Sequence, residues 1–310
     1  MGLKPVTLGG LRQWLTLNGS PGGPLLLYLH GGPGAAELAV AKRFQAPLLP
    51  HWRVVNWDQH GSGKTAAREV SLERLVADTC ELVALLRQYD PARPLYVMGH
   101  SWGSLLGLIA LQRRPGLCDG FISVGQLVAG AQNEVLSHQL AVKRAWGLLR
   151  YALLAERPPY GTHVDALLRK CFYLYLLGGF FRRRYALRLT LTLLVSGEYT
   201  VADKLAYLPR FRASLKQLQP TIETLDLLAV PLKLDVPALF CVGGRDLVTP
   251  PELTTRLFEQ LEAPYKHLEV FEREAHCLHY ENPARFAHVL RNWLSAANDR
   301  TGTPPVETRC

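Results

Sequence analysis

The chain has 310 residues, 48% of them hydrophobic, and a mean hydropathy of +0.03, a balance that excludes a disordered chain and fits one large core or one core with an insertion. No apolar run approaches the roughly 18 residues that span a bilayer. The net charge is +9, and fourteen Lys or Arg against seven Asp or Glu between Gln126 and Pro231 supply +7 of it. With no nucleic-acid motif beside it, that excess reads as a solvated basic face, and neither nucleic acid nor a membrane is expected as a partner.

The start, "MGLKPVTLGG", has no apolar h-region and carries Val6 where myristoylation wants Ser or Thr, so a cytoplasmic protein is expected. "LRQWLTLNG" (11–19) and "PLLLYLHGG" (24–32) read as strands, and "RVVNWDQ" (53–59) as a third. In "SLERLVADTCELVALLRQYD" (71–90) the period changes. Leu72, Leu75, Val76, Leu82, Val83 and Leu86 recur at helical spacing behind an N-cap at Ser71. "PLYVMG" (94–99) returns to strand, "WGSLLGLIALQRR" (102–114) to helix stopped by Pro115, and "GFISVG" (120–125) to strand. The alternation resumes with "ALFCVGG" (238–244), "PELTTRLFEQLE" (251–262), "HLEVF" (267–271) and "PARFAHVLRNWLSAA" (283–297). Such alternation predicts a mostly parallel sheet with helices on both faces. Between the two runs, 126–231 is rich in Leu, Tyr and Arg at helical spacing and predicts an all-helical insertion. The expected organisation is a core at 1–125 and 232–298, the insertion at 126–231, and a loose tail at 299–310.

The chemistry gathers at the strand ends. In "GHSWGS" (99–104), Ser101 stands between Gly99 and Gly103 where a strand hands over to a helix. A serine hydroxyl is a poor nucleophile until a base takes its proton and the backbone presents its Oγ. A sharp strand-to-helix elbow does the second, and glycines two residues to either side leave it room. The same turn aims the Trp102 amide at a developing oxyanion. A second donor is offered by "HGGPG" (30–34), with Gly32 as the N–H and His30 and Gly31 beside the substrate. The acid and the base are expected after Ser101 in that order. Asp246 follows a strand in "GGRDLVTP", and His276 follows the next in "EREAHCLHYENP". His276 lies closer to its strand end than His279, which reads as a local hydrogen-bonding residue. Glu272 and Asp226 are less well placed than Asp246.

Two other readings fail on their residues. "HGSGKT" (60–65) resembles the end of a P-loop, yet Asp58 stands where the first glycine belongs and would repel phosphate. His276, Cys277 and His279 lack the second ligand cluster of a zinc site, so no metal is expected. The six cysteines, at 80, 118, 171, 241, 277 and 310, show no CxxC and read as reduced thiols, mostly core, with Cys277 set apart by its neighbours.

Together, "HGGPG", "WDQHGSGKT" (57–65), "GHSWGS" and "GGRDLVTP" with "AHCLHYENP" resemble the α/β-hydrolase superfamily, and within it the proline-iminopeptidase-like branch. The resemblance spans residues 30 to 283 in family order. It implies an α/β-hydrolase fold with a helical cap, Ser101 as nucleophile, His276 as base and Asp246 as its partner. It also implies oxyanion amides from Gly32 and Trp102, and no cofactor. The chain departs from the pattern at His60 and Thr65, where the family has arginine and serine. Aminopeptidase members bind the substrate ammonium through cap glutamates, and here only Glu198 in "SGEYT" matches one. A basic cap disfavours a cationic substrate. The expectation is therefore a serine hydrolase of a small-molecule carboxylic ester or lactone, including bulky macrolide-type lactones. Proline iminopeptidase is the alternative, and a nucleotide binder or a non-catalytic fold relative are remote ones.

Overall fold

A computed structural model describes residues 2–160, 163–180 and 182–301. Eight strands form one sheet: β1 (Leu3–Leu8), β2 (Leu11–Gly19), β3 (Leu25–Leu29), β4 (Arg53–Asp58), β5 (Leu95–His100), β6 (Gly120–Val124), β7 (Ala238–Gly243) and β8 (Lys266–Phe271). Their order is β1-β2-β4-β3-β5-β6-β7-β8. β1 and β2 pair antiparallel, as do β2 and β4, and every other pairing is parallel. The central strands β3 to β7 are buried at every position, as unbroken runs such as "LLLYL" require when both faces are covered.

Alternate residues of one strand go to opposite layers. Leu25, Leu27 and Leu29 pack with α2 (Leu72–Tyr89), α3 (Trp102–Arg113) and α9 (Pro251–Gln260), whereas Leu26 and Tyr28 meet Phe286, Leu290 and Trp293 of α11 (Pro283–Thr301). Ser71 caps α2 as expected, its hydroxyl accepting the Arg74 N–H at 3.2 Å.

Two elements before β4 have no counterpart in the sequence reading. β1 contains Pro5 and is mostly exposed, a pattern tolerated at a sheet edge. The short α1 (Leu38–Phe44) lacks a side-chain cap, so no residue announces its start. Between β6 and β7 lie α4 (Gly130–Arg144), α5 (Gly147–Ala155), α6 (Val164–Leu176), α7 (Arg183–Val195) and α8 (Val201–Thr224), with no strand beyond the isolated Ala129–Asp226 and Lys233–Glu262 bridges among the described residues. α8 opens with a reciprocal Thr200–Asp203 capping box. A short α10 (Leu278–Glu281) precedes α11, which runs three residues into the stretch expected to be loose, while 302–310 lies outside the described residues.

Candidate active site

Ser101 joins β5 to α3 with φ 54° and ψ −118°, and it is the sole residue other than glycine with positive φ among those described. Holding a side-chain-bearing residue there costs of order 1–3 kcal/mol, which the packing around it offsets. That packing explains the two glycines. A Cβ on Gly99 would collide with the Gly103 carbonyl, and one on Gly103 with that of Leu29. The Ser101 N–H donates to Val124 O at 2.9 Å, tying the elbow to the end of β6. Trp102 opens α3, so its N–H is one of the four at a helix start without an intrahelical acceptor.

β5, β6, β7 and β8 are consecutive and parallel, so the loops after them share one edge of the sheet. That edge brings Asp246, beyond β7, to His276, beyond β8. His276 Nδ1 lies 2.8 Å from Asp246 Oδ2, and both residues are buried. The rest of the Asp246 carboxylate is satisfied locally: Val248 N–H and Thr249 N–H donate to Oδ1 at 2.7 and 2.9 Å, and the Thr249 hydroxyl to Oδ2 at 2.8 Å. An acceptor-only carboxylate at Nδ1 selects the Nδ1–H tautomer and leaves the lone pair on Nε2. This is an assignment from the hydrogen-bond pattern. The imidazole is shelved from the other side by the segment after α6. His276 N–H donates to Gly179 O at 3.1 Å, Cys277 N–H to Phe180 O at 3.0 Å, and the Phe180 ring stands edge-on to His276 at 5.6 Å.

The glycine-rich loop after β3 lies against the elbow, for a Cβ on Gly31 would stand 3.3 Å from that of Ser101. Gly32 has φ 120° and is exposed. His30 is differently employed. Its Nδ1–H donates to Gly31 O at 2.9 Å, and Nε2 accepts the Gln59 N–H at 3.2 Å beside the Ser62 hydroxyl at 3.0 Å. Buried and engaged at both nitrogens, its side chain clasps this loop to the next rather than facing a ligand.

That next loop is the P-loop look-alike, and a carboxylate fills it. Asp58 accepts the Lys64 N–H at 2.8 Å and the Tyr199 hydroxyl at 2.8 and 2.9 Å, while Lys64 Nζ pairs with Asp203 at 2.6 Å. Burial pushes the Asp58 carboxyl up to about 7, although the bonds from Lys64 and Tyr199 pull the other way. A carboxyl raised in the folded state stabilises fully below its unfolded value, near 3.9, and loses that contribution as pH rises to about 7. Asp58→Asn should therefore gain on wild type across pH 4 to 7, by at most about 1.4 kcal/mol per pH unit. Urea unfolding of both proteins from pH 4 to 8 measures this, and a difference independent of pH would refute it.

One cluster beside His276 was not anticipated. The Tyr28 hydroxyl donates to Glu37 at 2.6 Å, Tyr280 donates to the same oxygen, and His100 Nδ1 faces the other Glu37 oxygen at 3.8 Å. His100 Nε2 lies 3.2 Å from the His276 carbonyl, with the two rings 4.7 Å apart. Burial raises the Glu37 carboxyl, but His100 and the two tyrosines outweigh it and hold it below the usual range. Burial lowers His100, and lowers His279 further, with the charges of His100 and His276 adding to the effect. His279 Nε2 meets the Tyr28 hydroxyl at 3.1 Å, in keeping with a local hydrogen-bonding role. Burial, reinforced by Glu37, Glu281 and Asp246, pushes the Cys277 thiol well up and keeps it protonated. In sequence this cluster is scattered over 28, 37, 100 and 277–280; His100 and 277–280 lay within recognised motifs, but Glu37, which joins them, lay in none.

The acids set aside stay apart from the pair: Asp226 accepts the Leu228 N–H at 2.8 Å and Gln132 at 2.9 Å, and Glu272 is exposed beside Gly244. Glu198 is half-buried, its carboxylate accepting the Ser196 hydroxyl at 2.8 Å.

The chain is 31% identical over 300 residues to the probable aminopeptidase YbaC of Bacillus subtilis (strain 168), covering 93% of this chain and 94% of that protein. Two solved structures share its fold. The proline iminopeptidase of Mycobacterium smegmatis superimposes with a TM-score of 0.70 at 19% identity, over 97% of this chain and 100% of that one. The esterase RhEst1 from Rhodococcus sp. ECU1013 gives 0.66 at 19%, over 96% and 100%. A family model described as the alpha/beta hydrolase fold matches residues 24–283, a span from just before β3 to the start of α11, and the chain belongs to that family of hydrolases.

Proposed function

We propose that the protein is a serine hydrolase that cleaves a carboxylic ester or lactone through an acyl-enzyme. The observation that carries this is the strained Ser101 elbow on the sheet edge that also holds the Asp246–His276 pair. In this reading His276 Nε2 takes the Ser101 proton as Oγ attacks the carbonyl carbon. The amides of Trp102 and Gly32 receive the negative charge that forms on the carbonyl oxygen. The imidazolium, held by Asp246, then gives its proton to the departing alkoxide, and an acyl-serine ester remains. A water molecule, deprotonated by the same His276, releases the acid and regenerates Ser101. Residues 126–231 act as the cap over this edge.

Charge supports an ester over an amino-terminal peptide bond. A substrate ammonium needs free carboxylates, and those of the cap are largely engaged. Glu156 pairs with Arg169 at 2.6 Å, Asp165 with Arg212 at 2.9 Å, and Asp203 with Lys64 at 2.6 Å. Glu134 is buried against Gln219. Glu198 is the acid left with a hydroxyl alone. The aminopeptidase reading has its own support in the full-length likeness to YbaC. The two separate on kcat/KM for an aryl ester, a macrolactone and a prolyl-anilide. The ester or lactone is expected to lead. A tenfold lead for the anilide, abolished by Glu198→Gln, would establish the aminopeptidase instead.

A further inference from the structure

We infer that the outer face of the cap is a docking surface for an anionic phospholipid bilayer. The sequence suggests a solvated basic face, but the structure shows that the charges are not alone there. Of the eighteen large apolar side chains that are exposed among the described residues, thirteen fall between Trp146 and Leu208. Trp146 is 79% exposed and Leu148 89%. Monomeric soluble proteins seldom leave so much contiguous apolar surface in water.

Six of the exposed residues lie on two helix faces and four line a groove beside them. Leu187, Leu191 and Leu194 repeat at i, i+4 and i+7 along α7, and Val201, Leu205 and Leu208 do so along α8. That spacing places each set on one helix face. Lys204 Nζ donates to the Leu194 and Ser196 carbonyls at 2.8 Å each, so the second stripe begins where the first ends. A groove of about 980 Å³ lined by Trp146, Leu148, Tyr175, Leu176 and Leu187 joins α5, the end of α6 and α7.

Charge identifies the occupant. Against this groove, sharing Trp146 and Leu177 with it, lies a pocket of about 320 Å³ lined by Arg144, Arg182, Arg245 and Arg273. Arg182 faces Glu274 and Glu281 at 3.9 and 3.7 Å, and the other three guanidiniums form no ion pair among the described residues. Arg150 and Arg188 stand exposed and equally unpaired among the leucines. A second copy of the chain would set these like charges against each other. An anionic bilayer neutralises them while it takes up the apolar side chains. Guanidinium forks suit phosphate oxygens, so the arginine pocket receives lipid phosphates at the edge of the groove. No helix among the described residues is long and apolar enough to cross a membrane, so the cap lies in the interface.

The test is sedimentation of the full chain with vesicles of phosphatidylcholine alone or mixed with phosphatidylglycerol, with tryptophan emission read in parallel. Trp52, Trp57, Trp102 and Trp293 are buried and Trp14 is half-buried, so a blue shift on binding reports Trp146 and should vanish in Trp146→Phe. The protein is expected to sediment with the anionic vesicles and not the neutral ones, and to be released as salt rises from about 50 to about 500 mM. Arg150→Gln and Arg188→Gln should each weaken partitioning about fivefold. Leu148→Ser with Leu187→Ser should weaken it more than tenfold with the unfolding midpoint unchanged, because both side chains are exposed. Three results would overturn the inference: no binding to anionic vesicles at low salt, equal and salt-resistant binding to neutral ones, or a vesicle-free blue shift that tracks dimer formation.

Discussion

Replacing Ser101 with alanine should lower kcat on an aryl ester by about three decades or more, with a binding-limited KM little changed. The size follows from how an acyl-transfer site works. Nucleophile, base and acid act as a unit, so losing one forfeits most of what all three supply, and only the oxyanion donors and substrate binding remain. The fold should survive. Ser101 donates its backbone N–H to Val124 O, a bond that alanine keeps, and positive φ strains alanine no more than serine. Far-UV circular dichroism and a fluorophosphonate label verify the two halves of this. The wild type should be labelled and inactivated and the variant should not. A variant with near-wild-type turnover would remove Ser101 from the mechanism.

The second large effect separates two histidines three residues apart. His276→Ala should match the serine variant in severity, whereas His279→Ala should keep most of kcat. His276 has the Asp246 carboxylate at 2.8 Å fixing its tautomer, while among the described residues His279 hydrogen-bonds the Tyr28 hydroxyl alone, at 3.1 Å, and its buried Nδ1 has no partner. A histidine base works as the neutral imidazole, so the rate should climb with pH. His279→Ala should keep that climb, because burial already holds His279 far below the usual range and neutral throughout. The residual rate of His276→Ala should lose it. The opposite ranking of the two variants would transfer the role of base to His279.

Why so much of the site was legible traces to backbone constraint. Gly99, Ser101 and Gly103 advertise the elbow because no other residue fits where a Cβ would strike a carbonyl. Asp246 and His276 follow apolar strands that read as strands, and a parallel sheet collects its strand ends on one edge. What escaped was set by tertiary contacts without local periodicity. Glu37 sits on no motif and becomes notable only when Tyr28, His100 and Tyr280 close around it. Thr249 is an ordinary turn residue until its hydroxyl is found 2.8 Å from Asp246 and 3.1 Å from His276 Nδ1. His30 lies in its motif, but a motif says nothing of its bonds to Gln59 and Ser62 in the next loop. Which apolar residues of 126–231 are exposed was illegible for a related reason. Helical spacing shows that a face exists, not whether another helix covers it, and "FYLYLLGGFF" supplies both a buried Leu174 and an exposed Phe172.

The shelf beneath the imidazole has a mechanical consequence. The segment after α6 belongs to the cap, yet its Gly179 and Phe180 carbonyls hold the N–H groups of His276 and Cys277. Lifting that segment to widen the entrance must either break both bonds or drag the 276–277 backbone along. In both cases the movement reaches the backbone that carries the imidazole, so in the proposed function the cap and the base are mechanically joined.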